Sequence, residues 1–125
     1  MIDDQDVLQQ LRWAVQALAA SAQDQVRLFP SFVCPACELL TDFDNWHRAA
    51  ESHVSLSFTP EQRNGLNAIR AQIESMPESP CFSAAVIRDR HDWRVLRDAA
   101  SRCLALFGWD PDLPPEGRST YVRGS

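Results

Sequence analysis

Large apolar residues recur every three or four positions along most of this chain, and that spacing commits it to helices. Leu8, Leu11, Val15, Leu18, Ala22, Val26 and Phe29 form one stripe, because side chains three and four apart share a face of an α-helix. They predict a first helix over about 4–29, capped by Asp3 or Asp4, with acids in its first turn that suit the helix dipole. A second helix, about 35–53, gathers Ala36, Leu39, Leu40, Phe43, Trp46, Ala50 and Val54 on one side. The third opens on Thr59-Pro60-Glu61-Gln62, a capping box with proline at the first helical position. Leu66, Ile69, Ile73 and Met76 follow as a narrow stripe that Pro77 stops, and Gly65 inside it costs about 1 kcal/mol relative to alanine.

A fourth long helix, about 92–107, carries Trp93, Leu96, Ala100, Cys103 and Phe107 at near-heptad spacing, widened by Val95, Ala99 and Leu106. Gly108 suits a left-handed cap, with Trp109 folding back towards Leu104. Residues 82–88 predict one short helix, and 54–58 alternate like a strand but have no partner. The expected fold is all-α, an antiparallel bundle of four main helices plus one short helix. The bundle domain covers 1–109, and 110–125, rich in Pro, Gly and Ser, reads as an extended or partly disordered tail.

At 125 residues the chain fits a single domain, and its net charge is −5. That balance argues against nucleic acid and anionic membrane surfaces as partners, and permits a basic protein partner. No apolar run approaches a membrane span. The start, Met-Ile-Asp-Asp-Gln-Asp, is acidic where a signal peptide is basic, so the expected location is cytoplasmic, with the four cysteines reduced. All 12 basic residues are arginine, which removes lysine Schiff-base and P-loop chemistry. Together with abundant alanine, this reads as a bacterial protein from a GC-rich genome.

Cys34-Pro35-Ala36-Cys37 is the one place where reactive side chains stand at a chemically useful spacing. The helix start there favours thiolate over thiol. Cys34 and Cys37 are therefore redox candidates, or ligands of a zinc site with Cys81 as third ligand and His47, His53 and His91 as further choices. The alternative is two small packed residues. The turn resembles glutaredoxin active sites, but those folds contain strands. The alkylhydroperoxidase-D-like group is all-helical, but it has a histidine shortly after the second cysteine and a glutamate upstream, whereas here Glu38-Leu39-Leu40-Thr41 follow Cys37 and no glutamate precedes Cys34. Neither family is identified.

Asp44, His47 and Glu51 line one edge of the second helix, most simply as a histidine held by flanking carboxylates. Asp89, His91 and Asp92 suit a cap on the last helix. Trp13 lies opposite the first helix's main stripe, beside Ala17 and Ala20, so this helix is either sandwiched or offers that side as an interface. With no convergent catalytic set, the sequence argues against an enzyme. It points to a non-catalytic small acidic protein that works by binding a protein partner or itself, resembling immunity or antitoxin-like inhibitors in character. The alternative is a thiol redox or zinc protein built on Cys34 and Cys37.

Overall fold

The computed structural model describes residues 3–29, 34–54, 57–76, 87 and 90–114. Among these the chain is all-α. Five helices pack together: α1 (Asp4–Ala19), α2 (Ala22–Arg27), α3 (Pro35–His53), α4 (Pro60–Ser75) and α5 (His91–Phe107). No helix is long and apolar enough to cross a membrane. The short helix expected over 82–88 lies outside the described residues except for Ile87, which is fully buried.

Helix α1 is the centre of the packing. It lies against both α3 and α5, α5 in turn carries α4, and α3 and α4 meet only sparsely. Val7, Leu11, Val15 and Leu18 on one side of α1 and Ala14 and Ala17 on the others are all withdrawn from solvent. Each fully buried leucine or valine contributes about 1.5–3 kcal/mol. Gln62 donates to the Leu106 carbonyl at 3.4 Å and Gln72 to the Asp92 carbonyl at 3.0 Å, so α4 and α5 run in opposite directions. Gly65 faces α5 at close range: a Cβ there would fall 2.7 Å from Leu106 Cδ1.

The local signals for α4 and α5 operate as read. Thr59 and Gln62 close the capping box reciprocally at 3.1 and 2.9 Å. Gly108 adopts φ 68°, and its N–H and that of Trp109 reach the carbonyls of Ala105 and Leu104, which is a Schellman cap. Trp109 then stacks on Phe107, and Phe58 meets Phe107 edge-on.

Three expectations are corrected. The first helix is not continuous: Ala20 and Ser21 are extended, and Ser21 Oγ caps α2 by accepting from the Asp24 N–H at 3.2 Å. The break resets the helical phase, so Gln25 turns inward in place of Val26 and is fully buried. Its amide donates to the Ala17 and Leu18 carbonyls at 3.1 and 2.9 Å, satisfying the end of α1, while Arg97 of α5 donates to its oxygen at 3.3 Å. Second, α5 begins at His91 behind Arg90, which makes no side-chain cap; Asp92 lies in the first turn, paired with Arg90. Third, Leu106 does not widen a buried face but is 43% exposed.

Gln25→Ala should therefore cost about 2–4 kcal/mol in urea unfolding, because it strips several buried groups of their partners at once. A loss below about 0.5 kcal/mol would show that water replaces the amide without penalty.

Candidate functional site

Because α3 and α4 barely touch, a groove of about 450 Å³ opens between them, lined by His47, Arg48, Glu51, Ser52, Asn67 and Arg70. His47 forms its floor. It is 1% exposed and its ring stacks on Phe43 at a centroid distance of 5.2 Å. Arg70 reaches across from α4: Nε and Nη2 lie 2.9 and 2.8 Å from His47 Nδ1, and Nη1 donates to Asp44 Oδ1 at 2.9 Å. Arg48 also holds Asp44, with Nε 3.0 Å from Oδ2. His47 Nε2 lies 3.1 Å from Glu51 Oε1, but not in line for a hydrogen bond, so this buried nitrogen is unsatisfied.

The electrostatics follow from this geometry. Hydrogen bonding from Arg70 is the main reason that the Asp44 carboxyl is held below its ordinary range. Burial, and then the Arg70 charge, push the His47 pKa down from its ordinary 6.5, against the opposing pull of Glu51 and Asp44. At neutral pH His47 is therefore uncharged, with an acceptor facing Arg70.

The sequence placed Asp44, His47 and Glu51 along one edge of α3, and they do line up there. What it missed is Arg70, 23 positions away, which orients the histidine more directly than either carboxylate. The only available signal was an arginine beside the Ile69 and Ile73 stripe.

Cys34 and Cys37 stand at the start of α3 as expected, both partly exposed, and Cys34 Sγ caps the Cys37 N–H at 3.4 Å. The expected thiolate is not favoured at Cys37. Burial, the bond to Cys34 and the charges of Cys34 and Glu38 push its thiol up to about 11. Cys103 is a buried core thiol, raised to about 12 by burial. Cys81, the proposed third zinc ligand, lies outside the described residues, and no group of three or more His, Cys, Asp or Glu able to hold a metal occurs among the described ones.

The Trp13 face is also revised. Trp13 and Ala20 are half-buried, but Ala17 is fully buried and Gln16 nearly so. Gln16 donates to the Asp110 carbonyl at 2.9 Å, which pins the start of the tail to α1, and Pro114 is buried too. Ala17 is withdrawn from solvent by packing within the chain, since α1 lies between α3 and α5. No family model, curated protein or solved structure matches the chain.

The lowered pKa of His47 fixes a sign. The folded protein takes up its proton less readily than the unfolded chain, so this contribution to stability is complete above about pH 6.5 and is lost as pH falls through the lower folded value. Asp44 adds a second loss only below its ordinary 3.8. Urea midpoints should fall as the pH drops below about 6.5. His47→Asn, which keeps an acceptor near Nδ1 but does not titrate, should flatten that segment. An unchanged slope in the variant would assign the loss to other groups.

Proposed function

We propose that this protein is a non-catalytic, acidic, cytoplasmic interaction protein, comparable in character to immunity or antitoxin-like inhibitors, and that it docks a protein partner through the α3–α4 groove. The observation that carries this reading is how the groove's charges are committed. Arg70 is spent on His47 Nδ1 and Asp44, and the uncharged histidine has its acceptor nitrogen occupied. Such a ring is a fixed donor and not a free acid or base. Around it Arg48, Glu51, Ser52 and Asn67 form an exposed polar rim of the kind that receives a partner's side chain. The buried second face of α1 moves the nominated surface away from Trp13 and onto this groove. Self-association is the alternative form of the same reading.

A thiol redox or zinc protein built on Cys34 and Cys37 is the second reading. Its support is that the two thiols are adjacent and both partly exposed. The Cys37 thiol is held in its protonated form, the state in which the second cysteine of such a pair waits to resolve a mixed disulfide.

A photo-crosslinking residue placed at Asn67, expressed in the native host, should trap a discrete protein adduct. The same residue at Arg94, on the exposed side of α5, should not. Equal labelling from both positions, or none from Asn67, would reject the groove as the docking surface.

A further inference from the structure

Arg70 fixes the tautomer of His47. A guanidinium only donates, so Nδ1 is the acceptor and the neutral ring carries its proton on Nε2. This N–H belongs to a residue that is 1% exposed, lines the groove and makes no hydrogen bond through that nitrogen. Leaving such a donor unmatched is unfavourable, so the site calls for an acceptor. What lies next to it is a carboxylate, Glu51, 3.1 Å away and out of line, on a side chain 58% exposed.

We propose that the α3–α4 groove is a receptor for one carboxylate, from an aspartate or glutamate side chain of the protein partner, and that Glu51 is an internal stand-in which the incoming carboxylate displaces. This deepens the docking reading above and rests on it. The Glu51 side chain is 58% exposed and meets the imidazole through a single contact at 3.1 Å, so swinging into solvent costs it only that contact. With Glu51 withdrawn, the site keeps two guanidinium groups, Arg48 and Arg70, against the single carboxylate of Asp44, so its local charge is positive. Asp44 does not compete, since both arginines already hold it. Arg48 binds it through Nε, and the Arg48 side chain is 73% exposed, which leaves its outer N–H groups for a second carboxylate. Ser52 and Asn67 supply a hydroxyl and an amide at the rim. The net charge of −5 does not forbid an acidic ligand, because at physiological salt charges farther away than about 8 Å are largely screened. The aromatic floor of His47 on Phe43 keeps the donor rigid, so little ordering is needed on binding.

The test is an NMR titration of the whole chain near neutral pH at constant ionic strength. The ligands are acetyl-Gly-Glu-Gly-amide and, as control, its Gln counterpart. The glutamate peptide should shift the His47 Nε2–H and the Asn67 side-chain signals saturably, and the glutamine peptide should do so far more weakly. Glu51→Gln, which removes the internal competitor's charge, should tighten binding about three- to tenfold, and Arg48→Gln, an exposed change that spares the fold, should weaken it by a similar factor. No saturable shift in either the wild type or Glu51→Gln, equal response to both peptides, or weaker binding in Glu51→Gln would each overturn the proposal. An adduct at Asn67 with no peptide response would leave the docking reading standing and remove the carboxylate receptor. A peptide response with no adduct would leave a carboxylate site without the protein partner.

Discussion

One guanidinium holds the open side of this bundle together. Helix α1 is gripped by α3 and α5, and α4 rides on α5, so the α3–α4 side is the seam left over once the core has formed. Arg70 crosses that seam and satisfies an imidazole nitrogen and a carboxylate at once. The depressed Asp44 depends chiefly on that crossing, and it adds to the burial that keeps His47 neutral. A charge-assisted bond in a partly buried position is worth more than a surface ion pair, because less water competes for its ends.

A second polar device works at the opposite kind of place, deep in the core. Gln25 fills the gap where α1 stops, and Arg97 ties it to α5 and to the Ile87 carbonyl at 2.9 Å. Burial lowers the Arg97 pKa, with Arg94 adding to the effect, yet an arginine remains charged at any ordinary pH. Both devices use a donor-rich side chain to join helices that hydrophobic contact alone does not hold in register. In the core it serves stability, and at the seam it presents an N–H.

What could be read from the sequence divides by distance along the chain. Thr59 with Gln62, and Gly108 with Trp109, are local signals, and the ends of α4 and α5 follow from them. The span of α3 followed in the same way from Pro35 and its apolar face. The break before α2 is also locally encoded, in Ser21 and Asp24, but the apolar stripe runs straight through it, and a stripe carries no record of a phase reset. His47 and its flanking carboxylates were visible as a helix edge. Arg70 was not, since a pairing over 23 positions is decided by how helices stack and leaves no spacing to read. At Cys37 the helix start favours a thiolate, but burial and a neighbouring thiol and glutamate outweigh it, and the burial is not legible in the spacing.

The central claim, that the Arg70–His47 contact builds the α3–α4 seam, is tested most directly by a double-mutant cycle. The cycle uses Arg70→Met, which keeps the stem, and His47→Phe, which keeps a ring on Phe43 but offers no acceptor, with stability read from urea unfolding near neutral pH. The account predicts a coupling energy of about 1–3 kcal/mol between the two positions. Additive effects, with coupling below about 0.5 kcal/mol, would mean that the two side chains lie together without holding the helices, and would contradict it.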